Sequence, residues 1–240
     1  MKKRGSHVGV VLSFVIFMTF IFFIYLITQP ALKTDKKDNS LEFLARSLVE
    51  NSSANMTSVS AAIIQQSSQN CVRLSGFFTA ASIGNRIIVR NSSESVLQSQ
   101  IDGVDLLIVK ETNDLFFKVY ESSEFNAAAT GPINPCQSLV QGNDYILGLI
   151  KTSESIFETK IIGLIGNYSA DYDNFKSGLK ISQGNEFDFS FTYNNGTEVA
   201  TNNQNQTISS NINIYAKNAP IIYVSRQAAT EPGFINVKTW

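Results

Sequence analysis

The chain has 240 residues, enough for one membrane segment and one sizeable domain, and its net charge is −1 at neutral pH. Hydrophobic residues make up 43% of it and charged residues 16%, which argues against a disordered protein. From Ala31 onward, 16 Lys and Arg stand against 20 Asp and Glu. This distal part is therefore acidic, whereas nucleic-acid binding needs a basic surface, so we expect no nucleic-acid partner.

The first predicted element is a transmembrane helix at residues 8–29. Residues 8–28 include no charged side chain, and as a helix these 21 positions span about 31 Å, the thickness of a hydrocarbon core. A cleavable secretory signal, which is the alternative, has a shorter apolar core. The basic residues within positions 1–7 predict a cytoplasmic N-terminus in the cell membrane, with the remainder of the chain extracellular.

Residues 30–55 are predicted to form a charged juxtamembrane linker followed by a short helix. Asn39 and Glu42 have the spacing of a capping box, which marks the start of a helix. Three apolar residues then recur on one helical face: Leu41, Leu44 and Leu48. The helix is expected to end near Asn51, where turn-forming residues begin.

Residues 56–240 are predicted to form one extracellular α+β domain built mainly of antiparallel sheet. Short runs rich in β-branched and aromatic residues alternate there with polar loops. These runs are SVSAAII, CVRLSGFF, RIIVR, VDLLIVK, LFFKVY and YILGLIK. Farther along, the aromatic residues of NEFDFSFTY alternate strictly before Asn195 and Gly196, which predicts a hairpin with a buried aromatic face. A domain boundary near Thr152 is the alternative to one continuous domain.

One segment of this domain, residues 161–179, has the period of a helix. Its apolar residues recur at steps of four and three: Ile161, Ile165, Tyr168, Tyr172, Phe175 and Leu179. The opposite face is polar, which predicts one amphipathic helix packed on the sheet. Asp171 and Asp173 would point to different sides of that helix, so we expect them to be solvated rather than metal ligands.

Two cysteines, Cys71 and Cys136, fall in the part predicted to be extracellular, where thiols can pair. A disulfide between them would stabilise the fold by about 4 kcal/mol in the chain-entropy model. Two buried free thiols are the alternative. Six N-x-[ST] sequons permit glycosylation: Asn51, Asn55, Asn91, Asn167, Asn195 and Asn205.

No catalytic signature stands out, and we expect neither enzymatic activity nor a cofactor or metal. The single histidine, His7, lies at the cytoplasmic edge of the predicted membrane helix. Histidine-dependent catalysis and histidine ligation of a metal are therefore excluded from the outer domain. Ser177 and Lys180 have the spacing of a Ser-x-x-Lys pair, but this lysine is predicted to face water.

The opening stretch KKRGSHVGVV resembles the signal of type IV pilin-like proteins, in which a short basic stretch and a glycine precede an apolar helix. In that family a dedicated peptidase cuts after the glycine on the cytoplasmic side, so the resemblance implies processing between Gly5 and Ser6. The apolar helix then stays on the mature subunit and packs in a filament. Members usually carry Glu at the fifth place after the cut, where this chain has Val10.

The end of the chain is similar to membrane-anchored archaeal pilin-like surface proteins, in the stretches DYDNFKSGLKISQGNEFDFSFTYNNGT and GFINVKTW. The resemblance implies a sheet with a helix packed on it. It favours a single-pass, pilin-like structural or assembly subunit whose partners are the lipid bilayer and copies of itself. The alternative is an uncleaved, signal-anchored ectodomain that acts as a receptor or binding module.

Overall fold

A computed structural model describes residues 7–64, 69–111, 113–133, 135–181, 184, 186–201 and 213–240. Gly5, Ser6 and Asn205 lie outside the described residues. The processing site and one sequon therefore stay predictions.

The chain begins with one unbroken helix, α1 (His7–Asn51), of 45 residues. The predicted linker is therefore wrong, because Pro30 lies inside the helix and Asn39 does not start a new one. Extending an existing helix is much easier than nucleating another, and residues 31–38 are rich in helix-forming Ala, Leu and Lys. The predicted end at Asn51 is confirmed.

Most of the remaining described chain is β-structure, which confirms the α+β class. The strands are β1 (Ser53–Ile63), β2 (Cys71–Leu74), β3 (Ile87–Asn91), β4 (Val96–Leu97), β5 (Ser99–Asp102), β6 (Asp105–Val109), β7 (Phe116–Glu121), β8 (Ala129–Thr130), β9 (Gln137–Leu139), β10 (Tyr145–Phe157), β11 (Phe187–Tyr193), β12 (Glu198–Ala200), β13 (Tyr215–Val224) and β14 (Thr230–Thr239). The shorter helices are α2 (Phe77–Ala81), α3 (Glu158–Ala170) and α4 (Tyr172–Gly178).

These strands form two sheets. The larger has nine strands in the order β12-β11-β14-β13-β10-β1-β7-β3-β4, and the smaller has five in the order β8-β5-β6-β2-β9. Strands β10 and β13 run parallel and pair only through Ile156 with Tyr223 and Phe157 with Val224. The larger sheet is therefore two antiparallel sheets joined at one short parallel link.

Each half of the larger sheet has its own core. The helix-side core lies between the last turns of α1, α3 and strands β11, β13 and β14, and it includes Leu41, Leu44, Leu48, Ile161, Ile165, Tyr168, Phe187, Phe189, Phe191, Tyr223, Ile235 and Val237. The sandwich core lies between the two sheets and includes Val59, Val72, Leu74, Phe77, Ile87, Val89, Leu106, Ile108, Phe117, Val119 and Tyr145. A small cluster joins the halves: Phe125, Phe157, Val224 and Ala228.

Two predicted elements are divided in the structure. The expected helix at 161–179 becomes α3 and α4, because the Asp171 side chain accepts a hydrogen bond from the backbone N–H of Asn174 and caps a new helix. The expected strand CVRLSGFF stops after Leu74. Gly76 there has φ 71°, a left-handed conformation that ends the strand and leads into α2.

The predicted hairpin is confirmed as β11 and β12, paired antiparallel from Ser190 to Thr192. Gly196 has φ 83°, which suits glycine, and the Asn195 side chain accepts a hydrogen bond from the backbone N–H of Thr197. Of the alternating aromatic residues of β11, Phe187, Phe189 and Phe191 are buried, as expected of a core strand, and Tyr193 is half-buried.

Candidate functional site

The first candidate site is the apolar half of α1. Gly9–Ile27 has a mean hydropathy of 2.8, none of it is buried, and it is long enough to cross a bilayer. It extends away from the domain with every large apolar side chain exposed. Such a helix is compatible with a membrane anchor or a signal, because water is a poor solvent for so much apolar surface.

The other half of α1 is part of the domain. Leu41, Leu44 and Leu48 are buried against β13, β14 and α3. Burying one leucine side chain contributes roughly 2 kcal/mol, so these contacts fix the helix firmly on the sheet. Glu42 also forms an ion pair with Lys217 of β13 at the exposed edge of this contact.

Tyr168 joins α3 to the sheet beside α1. Its hydroxyl donates a hydrogen bond to the backbone carbonyl of Phe187 at 2.7 Å. Its ring contacts those of Tyr172, Phe187 and Phe189 edge-on, with centroids 5.1–5.5 Å apart. Edge-on aromatic pairs add stabilisation beyond their buried area, so the arrangement holds α3 in place.

Two further tyrosines donate hydrogen bonds to carboxylates in this core. Tyr193 donates to Glu158 at 2.7 Å, and Tyr223 donates to Glu231 at 2.9 Å. Burial, with the added effect of the Glu158 carboxylate, raises the pKa of Tyr193 to about 12, and burial together with Glu231 raises the pKa of Tyr223 further. Both hydroxyls therefore stay protonated at ordinary pH and act as structural donors. The sequence offers no sign of the first pair, because Tyr193 and Glu158 are distant in the chain.

The sandwich half of the domain contains the disulfide. Cys71, at the start of β2, is bonded to Cys136, directly before β9. The two strands run parallel, with Val72 opposite Gln137, so the bridge fastens a short pairing at its end. No free cysteine remains in the chain.

The described sequons differ in accessibility. Asn51, Asn55, Asn167 and Asn195 are exposed. Asn91 is buried, and its side-chain amide donates hydrogen bonds to Asp114. A glycan on Asn91 would require the folded sandwich to open, so we expect none there.

Three hollows are formed by described residues, and none of these three is both large and enclosed, as ligand sites usually are. A cavity of about 90 Å³ beside α1 is far smaller than the roughly 300 Å³ at which ligand pockets begin. Two wider hollows, of about 440 and 340 Å³, lie open on the surface. In the first, the charge of Glu94 is shared between Arg90 and Lys118.

Metal and catalytic candidates are equally sparse. Among the described residues, no three His, Cys, Asp or Glu side chains come together as metal ligands. Asp171 caps α4 and Asp173 lies exposed in its first turn, so the two carboxylates have separate surroundings. Lys180 is exposed beyond the end of α4.

Comparison of the chain with known protein families, with characterised proteins and with solved structures finds no match. The functional argument therefore depends on the course of α1 and on the domain that surrounds its second half.

Proposed function

We propose that the chain is a single-pass, membrane-anchored surface protein that serves as a pilin-like structural or assembly subunit. The observation that carries the proposal is the single helix α1, exposed and apolar over Gly9–Ile27 and buried in the helix-side core from Leu41 to Leu48. Because one continuous helix contains both parts, the position of the apolar segment determines the position of the outer domain. Subunits that pack through their apolar helices would thereby hold their domains in a fixed array.

Three further features support an outer domain with a structural role. The N-terminal basic residues favour a cytoplasmic N-terminus, which leaves the disulfide-containing domain outside the cell. Charged groups in the hollow at Arg90 pair with one another instead of converging on an open space. The sheet with α1 and α3 on one face also agrees with the architecture that the pilin-like resemblance implies.

Cross-linking in the native membrane tests the proposal. Ile16→Cys and Phe20→Cys place a thiol on exposed positions of the apolar segment, and Asn195→Cys places one on an exposed hairpin turn as the control. We expect a thiol cross-linker to join the full chain into dimers and higher oligomers through the helix positions and far less through the turn. If the helix positions give only monomers, the chain is an anchored ectodomain and the receptor alternative takes its place.

A further inference from the structure

A polar cluster lies inside the sandwich half of the domain, away from α1. Lys110, Asp114 and Asn91 are only 3%, 8% and 7% exposed. Lysine and aspartate are almost never buried to this degree unless a specific partner compensates for the lost water. The course of α1 and the membrane anchor do not account for such a cluster.

The alternation of the strands directs Lys110 and Asn91 into the same interior. Lys110 directly follows β6, whose Leu106 and Ile108 face the sandwich core, and residues two apart in an extended chain share a face. Asn91 ends β3, in which the alternate residues Ile87 and Val89 face that core from the opposite sheet. Packed sheets are about 10 Å apart, a gap that extended lysine and asparagine side chains together span.

The Asn91 amide is held in a polarised arrangement. Its Oδ1 accepts hydrogen bonds from the backbone N–H groups of Ser93 at 3.1 Å and Ser95 at 2.9 Å. Its Nδ2 donates to the two carboxylate oxygens of Asp114, at 3.3 and 3.4 Å. Two backbone donors on a carbonyl oxygen stabilise the negative charge that develops when a nucleophile attacks the carbon. A carboxylate stands next to the nitrogen that would leave.

The Lys110 amine is connected to the same carboxylate through the backbone of Glu111. Its Nζ donates to the backbone carbonyl of Glu111 at 2.9 Å, and the backbone N–H of Glu111 donates to Asp114 Oδ2 at 3.2 Å. Burial lowers the pKa of the Lys110 ammonium, while the nearby Asp114 carboxylate raises it. Burial thus favours the neutral amine, which is the nucleophilic form.

We propose that Lys110 and Asn91 become joined by an intramolecular amide bond, with Asp114 carrying the proton. Nζ turns from the Glu111 carbonyl toward Asn91 Cγ by rotation about the lysine side-chain bonds, and its lone pair forms the new Cγ–Nζ bond. Asp114 takes a proton from Nζ and delivers it to Nδ2. The Cγ–Nδ2 bond breaks with its electron pair on nitrogen, and ammonia leaves. The reaction needs no oxidant, reductant or co-reactant.

Such a bond would connect β3 of the larger sheet to the end of β6 in the smaller one. The backbone N–H of Lys110 donates to the carbonyl of Asn70, directly before Cys71, so the disulfide lies at the same end of the sandwich. Amide and disulfide together would fasten this end covalently in two places. The inference does not depend on the proposed assembly function.

Peptide mass analysis of the full chain, purified from its own membrane and reduced, tests the bond. Trypsin cuts after Arg90 and, in an unlinked chain, after Lys110. We expect instead a peptide covering residues 91–118, uncut at Lys110 and lighter than its sequence by about 17 Da, the mass of ammonia. Normal cleavage after Lys110 overturns the proposal, even with the same mass loss, because a succinimide at Asn91 also releases ammonia. A glycan on Asn91 overturns it as well.

Variants separate the roles of the three residues. Lys110→Met and Asp114→Ala are expected to abolish the mass loss, and Asn91→Asp is expected to change it to about 18 Da, because water leaves in place of ammonia. Lys151→Met, at an exposed position of β10, is the control and should keep the loss at residues 91–118. A mass loss that survives Asp114→Ala contradicts its role in proton transfer. If a variant fails to fold, the peptide of the unaltered chain still decides whether the bond exists.

Discussion

Leu48 offers the most direct test of whether the second half of α1 is part of the domain core. This residue is fully buried where α1 meets α3 and the sheet, with 0% of its surface exposed. Leu48→Ala removes buried apolar surface and leaves a cavity that a sheet and two helices cannot easily close. Substitutions of this kind lower the free energy of unfolding by about 2–5 kcal/mol. We expect a loss in that range.

The matched control is Arg46→Ala, two positions earlier on the same helix. The Arg46 side chain is 77% exposed and pairs with Glu50 one turn later, at 2.9 Å. An exposed pair of this kind contributes less than about 1 kcal/mol. Alanine also retains full helix propensity, so the change tests the loss of packing rather than the loss of helix.

Urea unfolding of the full chain in detergent measures both variants. Trp240 is the single tryptophan and its backbone pairs with Glu186 beside β11, so its fluorescence reports on unfolding of the sheet that forms one side of the helix-side core. The midpoint should fall markedly for Leu48→Ala and hardly at all for Arg46→Ala. Equal effects of the two substitutions would mean that α1 is not part of the domain core.

Further substitutions test the packing, the disulfide and the tyrosine–carboxylate pair. A Cβ at Gly233 would lie 2.9 Å from an aromatic ring, so Gly233→Ala should lower the free energy of unfolding by about 1–3 kcal/mol. A Cβ at Gly163 would lie in open space on α3, so Gly163→Ala should raise it by up to about 1 kcal/mol. Urea midpoints of the two variants distinguish these opposite effects. Replacing Cys71 and Cys136 by Ser should lower the free energy of unfolding by about 4 kcal/mol, and free thiols in the unreduced native protein would contradict the pairing. Because the pKa of Tyr193 is raised to about 12 in the fold, above the ordinary value of 10, its contribution is complete below pH 10 and is lost as pH rises toward 12. Tyr193→Phe should reduce that alkaline loss in a pH series of unfolding curves, and an unchanged pH profile would contradict the assignment.

The spacing of apolar residues in the sequence predicted those elements that depend on interactions between neighbouring residues. The aromatic alternation of β11 needs only its own pattern to indicate a buried face, and Asn195 with Gly196 indicates the turn that follows. The pairing of Cys71 with Cys136 followed from their shared placement. These features depend on a few neighbouring residues or on compartment, so a single sequence contains enough information.

Features that depend on distant contacts were missed. The capping-box spacing at Asn39 favours a helix start, but docking of the following leucines lets α1 continue through it. The apolar stripe of α3 and α4 continues past Asp171, although this aspartate caps a second helix. The burial of Lys110 could have been predicted, because it follows Ile108 by two places in VDLLIVK and alternate residues of a strand face the same side. Its partners Asn91 and Asp114 come from other parts of the chain, so their meeting was not predictable.

The central claim, a pilin-like subunit anchored through α1, is tested most directly by the mass of the N-terminal peptide of the native protein. The claim predicts that the mature chain begins at Ser6, because the peptidase of that family cuts after glycine at the cytoplasmic membrane surface. Gly5→Leu should block this cut without preventing insertion, since Gly9–Ile27 is unchanged. A native chain that still carries Lys2, Lys3 and Arg4 in cells with an active prepilin-type peptidase would contradict the claim.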